Sequence, residues 1–312
     1  MGQRTSGKKK VKKWQLWTPG ILILFAAGLN MAGRVWKGFS DFYVDNIFPL
    51  WVETYGRITG IFPFSVGEWM LYLAVILVFI LLAAGIILIV CLVLRRRVPS
   101  VTPSVMPSSG LSAFKKLYGG YALFLYWVLG IVSVIMMLNC FLLYQVSPIT
   151  ERYEIGGSPD KVYGTEEIAA LRDYVVEQAN ALAPSFERDE KGYIIYKEDI
   201  REKARQEMRR LGGTFENLQG YYPKPKGLCL SGFYSQQSIM GYYFPFSMEA
   251  NYNRQMYITN MPVSMCHELS HLKGFILEDE ANFLGFLACV DSRDELFRYS
   301  AYLSVIGYLD RD

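Results

Sequence analysis

The chain is poor in histidine, with only two among its 312 residues. Cysteine is sparse as well. Cys91, Cys140, Cys229, Cys266 and Cys289 are scattered with no Cys-x-x-Cys pair, so neither a thiolate zinc site nor a disulfide framework is indicated. Charge is limited, at 20% of residues and a formal net charge of +3. The basic side chains stand beside apolar runs and along one amphipathic helix. They do not form a patch with interleaved aromatics, so no nucleic-acid partner is expected. What is abundant is apolar residue, 52% of the chain. That is too much for an ordinary soluble enzyme, while the charge is too much for a chain lying wholly in a membrane.

Two runs are long and apolar enough to cross a hydrocarbon core of roughly 30 Å at about 1.5 Å per residue. They are 69–94 and 118–144, the second without a charge and with Tyr and Trp towards its ends. A third candidate, 18–36, follows a basic segment 1–17 and reads either as a retained helix or as the core of a signal peptide. The opening Met1-Gly2-Gln3-Arg4-Thr5-Ser6 fits a myristoylation pattern, but a chain that spans the bilayer needs no lipid anchor.

Positive residues orient these spans. Arg4 with Lys8, Lys9, Lys10, Lys12 and Lys13 precede the first, and Arg95, Arg96, Arg97, Lys115 and Lys116 lie between the second and third. Only Arg34, Lys37 and Arg57 lie in the 34–68 loop. The two richer regions are expected in the cytoplasm, which puts everything after Tyr144 outside a cell membrane that the chain crosses several times. Loss of the first segment would leave that side unchanged.

From residue 145 the composition becomes that of a soluble domain, after Pro148 and the turn Gly156-Gly157-Ser158-Pro159. Thr165 with Glu166 and Glu167 starts a helix whose apolar positions Ile168, Leu171, Val175 and Ala179 keep helical period. A second helix is predicted over 197–211, with its alternating charges as a solvated face, stopped by Gly212-Gly213. Strand chemistry follows over 239–248 and 255–259. Pro245 demotes the first of these to a sheet edge, which either closes a small sheet or accepts an extended peptide. The chain ends just past an apolar helical stretch, which is compatible with a longer natural protein.

Both histidines fall in one motif, His267-Glu268-Leu269-Ser270-His271, on a helix read from Pro262 to a stop at Gly274. Four residues apart, the two imidazoles leave one face of the helix and converge on one point, as zinc ligands must. Glu268 stands beside them, placed to take a proton from water at the ion instead of binding the ion. The stretch from His267 to Gly274 also matches the start of the metzincin signature. The third histidine of that signature would fall at Leu277, which cannot ligate.

Seven residues after His271 comes Glu278-Asp279-Glu280-Ala281-Asn282. Its spacing resembles the gluzincin peptidases, in which a ligand Glu is followed four positions later by Asp or Asn. The resemblance gives Glu278 as third ligand and Asn282 as the residue orienting a zinc-bound histidine, with Asp279 and Glu280 as the other choices in the cluster.

Further residues extend the likeness. Tyr243-Phe244-Pro245-Phe246, Glu249-Ala250-Asn251, Pro262, the histidine motif, Gly274-Phe275, the acidic cluster with Phe283, and Tyr299-Ser300 together resemble the bacterial membrane-protein family called domain of unknown function 3810. That resemblance implies a membrane α-helical N-terminal region and an α+β, zincin-like (gluzincin) domain over 145–312, acting as a zinc peptidase on a peptide or protein substrate. It carries Glu249 and Asn251 over as residues lining the cleft. Tyr242 and Tyr243 are the candidates for an oxyanion donor. Two other readings stand beside it: a non-catalytic zinc-dependent sensor or scaffold, and a structural membrane protein without metal.

Overall fold

The computed structural model describes residues 12–36, 38–97, 107–156 and 162–310. The basic residues before position 12, the myristoylation pattern, Lys37, Gly157-Ser158-Pro159 and the last two positions lie outside the described residues. In chain order the helices are α1 (Lys13–Val35), α2 (Phe39–Asn46), α3 (Phe48–Glu53), α4 (Tyr55–Gly60), α5 (Val66–Arg97), α6 (Ser108–Met136) and α7 (Ile149–Arg152). There follow α8 (Thr165–Leu182), α9 (Ile200–Leu211), α10 (Ser231–Gln236), α11 (Met261–His271), α12 (Glu278–Val290) and α13 (Glu295–Leu309). Three strands, β1 (Lys226–Gly227), β2 (Gly241–Phe244) and β3 (Glu249–Tyr252), make one small sheet. The chain divides into two compact units, Met1–Met31 with Trp69–Met137, and Ala32–Glu68 with Leu138–Asp312.

The first unit holds α1, α5 and α6, three helices long and apolar enough to cross a membrane. Each begins before the apolar run that marks it, because extending a helix adds a hydrogen bond per residue without a new nucleus. Arg95, Arg96 and Arg97 end α5, where cations favour the helix dipole. Pro19 sits inside α1, so the carbonyl of Gln15 loses its helical donor. Trp127 of α6 fills the place, its Nε1 donating to Gln15 O at 3.0 Å. Gly130 lets the two helices close up, since a Cβ there would lie 3.1 Å from Pro19 Cα.

The second unit is mostly helical with a mixed sheet in the order β1-β3-β2. β2 and β3 form an antiparallel hairpin with Gly241 opposite Tyr252 and Phe244 opposite Glu249, and β1 pairs with β3 in parallel. β2 is therefore an edge strand. The hairpin is shorter than the extended run predicted over 239–248, because the chain turns at 245–248. Residues 255–259 are turn instead of strand: the Asn253 side chain accepts from Gln255 N at 2.9 Å and bends the backbone there.

α8 begins at Thr165, where the sequence puts a helix start. α9 starts three residues later than the pattern of charges suggests. Asp199 caps it, accepting from Arg201 N at 3.1 Å and Glu202 N at 3.4 Å. Nor is α9 solvated throughout, since Ala204, Met208 and Leu211 are buried and Glu207 accepts from Ser292 Oγ at 2.7 Å. The segment 32–68, a loop in the sequence reading, contributes α2, α3, α4 and the first residues of α5 to this unit. Glu68 ties it in, accepting from Cys229 N at 2.8 Å and Leu230 N at 2.9 Å.

Candidate metal centre

α11 opens with Pro262 in its first turn, where the missing N–H costs nothing, and carries both histidines in its last turns. It must stop soon after His271 for the chain to come back. Gly274 does this at φ 90°, and a Cβ there would meet Val44 Cγ1 at 2.4 Å, so both conformation and space demand glycine. α12 then starts at Glu278 and packs against α11. The two backbones come close at Gly285, where a Cβ would lie 3.0 Å from Val263 O and 3.2 Å from His267 N. That approach brings the first turns of α12 to the histidines.

The result is a tight triad. His267 Nε2 lies 3.1 Å from His271 Nε2 and 3.2 Å from Glu278 Oε2, and His271 Nε2 lies 3.8 Å from Glu278 Oε1. The two rings stand nearly perpendicular, at 84°. Their other nitrogens are committed: His267 Nδ1 is 2.9 Å from Asn282 Oδ1, and His271 Nδ1 is 2.7 Å from the carbonyl oxygen of Phe275. Carbonyl oxygens only accept, so each Nδ1 carries the proton and each Nε2 keeps its lone pair. Two lone pairs and a carboxylate pointed at one spot repel one another unless a cation lies among them. Tetrahedral zinc with ligands at about 2.0–2.1 Å separates them by roughly 3.3 Å, close to what is seen.

The surroundings sort the roles further. Burial, with the charge of His267 adding to it, pushes His271 down to about 4, so it is neutral at physiological pH as a ligand must be. Glu278 is 70% exposed, which leaves the triad open to solvent on one side. Glu268 is 5% exposed and lies under β2, its Oε1 2.7 Å from where a Cβ on Gly241 would sit. Burial, and then the negative charge of Glu278, hold its carboxyl well above the usual range. Among the described residues its Oε2 has no hydrogen-bond partner. A buried carboxylate oxygen of this kind is costly unless it serves a ligand or a reaction.

The acidic cluster divides cleanly. Glu280 accepts from Ile149 N at 2.7 Å and Asp279 from Glu280 N at 3.0 Å, so Glu278 is the member that meets the histidines. Asn282 is held in turn, its Nδ2 donating to Tyr308 Oη at 3.2 Å. Tyr308, the Phe275 carbonyl and Gly285 carry no signal in the sequence that would single them out. With zinc supplied to the triad, alanine at Asn282 is expected to bind it about 10–100-fold more weakly than the wild type does, because His267 loses the partner that fixes its tautomer. Titration of the metal against a chelator of known affinity reads this directly, and unchanged affinity would remove Asn282 from the site.

The remaining candidates are placed less uniformly. Tyr243 is buried behind His271, ring centroids 6.2 Å apart, and its hydroxyl donates to Asn139 O at 3.1 Å. Tyr242 Oη lies 3.4 Å from Tyr234 Oη. Asn251 is buried, its Nδ2 near Tyr242 O at 3.3 Å and its Oδ1 without a partner among the described residues. Glu249 is fully engaged within the fold. It accepts from Gly67 N at 2.8 Å and Ser247 Oγ at 2.7 Å and pairs with buried Lys226, fastening the start of α5 to the sheet.

A protein-family model described as protein of unknown function (DUF3810) matches residues 43–312. No curated protein and no solved structure matches the chain.

Proposed function

The chain belongs to the DUF3810 family of proteins of unknown function, and from the geometry of its site we propose that it is a membrane-anchored zinc peptidase. His267, His271 and Glu278 would hold the ion. The convergence of two Nε2 atoms and a carboxylate, within 4.8 Å of one another and each histidine fixed from behind, is the observation that carries this reading. When bound, zinc supplies Lewis acidity to a peptide carbonyl and to water.

The chain's own residues would do the rest. Glu268 is the group that takes a proton from water and returns it to the leaving amine. Burial raises its proton affinity, which favours holding the proton between the two transfers. β2, at the sheet edge above Glu268, offers backbone groups to an extended peptide. Tyr242, on β2, is the better of the two tyrosines for contact with substrate, because the hydroxyl of Tyr243 already serves Asn139. A helix bearing the two histidines, a following helix bearing the acid, and a hairpin packed beside them also support a zincin-like fold for the second unit. Zinc content and cleavage of unstructured peptides by the full chain test the reading.

The basic residues flanking the apolar helices support an extracytoplasmic site. The joining of 32–68 and 138–310 in one unit supports the two segments sharing one side, since two long apolar helices lie between them in the chain. A membrane-impermeant maleimide should therefore label exposed Cys229 in intact cells. Labelling only after lysis would reverse the orientation.

A further inference from the structure

The segment between α1 and α5 is built inside out for a protein surrounded by water. Its four charged residues in the described range 38–64 are Asp41, Asp45, Glu53 and Arg57. All four are engaged within the second unit. Asp41 accepts from Ser147 N at 2.7 Å, and Asp45 accepts from Arg152 Nη2 at 2.6 Å and Asn217 Nδ2 at 2.7 Å. Glu53 accepts from Tyr221 N at 2.7 Å and pairs with Arg57, whose guanidinium lies 4.3 Å from the Tyr221 ring.

The outward side is apolar instead. Phe42 is 60% exposed and Ile61 79%, and Leu50, Trp51, Ile58 and Phe62 are exposed too. Part of the apolar set, Tyr43, Val44, Phe48 and Val52, does face the core, so the exposed residues are not simply a misplaced core face. Large exposed apolar side chains this dense in one short segment mark a contact with something apolar.

Connectivity says what that is. Only residues 36–38 separate α1 from α2, and only 61–65 separate α4 from α5. At about 3.3–3.6 Å per residue, neither end can stand more than about 10–20 Å from a helix long enough to cross a membrane. We propose that α2–α4 lie in the bilayer interface, with Phe42, Leu50, Trp51, Ile58, Ile61 and Phe62 facing the lipid. The occupant of this apolar face is thus the lipid surface itself. Aromatic and aliphatic side chains favour the headgroup boundary, and the four charges are paired with protein groups. The proposal rests on α1 and α5 crossing the membrane and is independent of the metal. It gives the second unit a second attachment to the bilayer besides the covalent one.

Collision accessibility of spin labels tests it on the full chain. Cys91, Cys140 and Cys229 are replaced by serine, leaving Cys266 and Cys289 buried. Single cysteines are then placed by Phe42→Cys, Leu50→Cys, Ile58→Cys and Ile61→Cys, with Glu190→Cys as a water-exposed reference. The protein is reconstituted in phosphatidylethanolamine–phosphatidylglycerol vesicles. The labels at the four sites should show a severalfold higher ratio of oxygen to nickel-chelate collisions than the label at 190. Ratios equal to that at 190 would place the face in water and overturn the proposal. Low accessibility to both reagents would mean that a protein surface covers it, with the same consequence. Four separate positions keep the test decisive if one variant folds poorly.

Discussion

His271→Ala should leave the purified chain with less than about a tenth of a zinc ion where the wild type holds one. Structural zinc sites with four ligands bind with roughly 10–16 kcal/mol, so one ligand's share is about 3 kcal/mol, more than a hundredfold in affinity. The effect should be larger than that of Asn282→Ala, because the alanine removes a donor and not merely its orientation. His271 is also buried, so the proper reference for folding is metal-free wild type, compared by thermal unfolding. Zinc content unchanged by the substitution would show that the ion, if present, binds elsewhere.

Glu268→Gln should keep zinc while lowering peptide cleavage by about 100- to 10,000-fold, the range of a lost general acid–base. The amide is nearly the same size as the carboxyl, so it fits the space beneath Gly241 and leaves the histidines as they are. Its loss of charge even relieves the repulsion from Glu278. Retained metal with lost cleavage separates a catalytic role from a structural one. The same variant weighs the alternative of a zinc-dependent sensor. A sensor needs no proton transfer, so the variant would keep its cellular phenotype, whereas a peptidase would lose it.

How much of this could be read from sequence depended on the range of the interactions involved. The two histidines are four residues apart on one helix, so their convergence is a local property and legible without a fold. The third member of the triad was not. Among Glu278, Asp279 and Glu280 the choice turns on partners such as Ile149 N, 131 residues away from Glu280, and was reached only by likeness to gluzincins. β3 was missed because its sequence, Glu249 to Tyr252, is polar, yet its first three residues are buried: Glu249 finds the amide of Gly67 far along the chain, and Asn251 Nδ2 lies near Tyr242 O on the neighbouring strand. Glu249 is the instructive case. The resemblance carries it over as a residue of the cleft, and its carboxylate holds the amide of Gly67 and the ammonium of Lys226, partners that only the fold brings to it. The membership of 32–68 in the second unit was equally invisible, since it depends on Asp41, Asp45, Glu53 and Glu68 finding donors more than a hundred residues on.

X-ray absorption at the zinc edge of the full-length protein, purified without chelator, bears most directly on the centre formed by His267, His271 and Glu278. The account predicts one zinc per chain with two imidazole nitrogens and light oxygen donors at about 2.0–2.2 Å, and no sulfur. A sulfur shell near about 2.3 Å, or a preparation without stoichiometric zinc even after the metal is supplied, would contradict it.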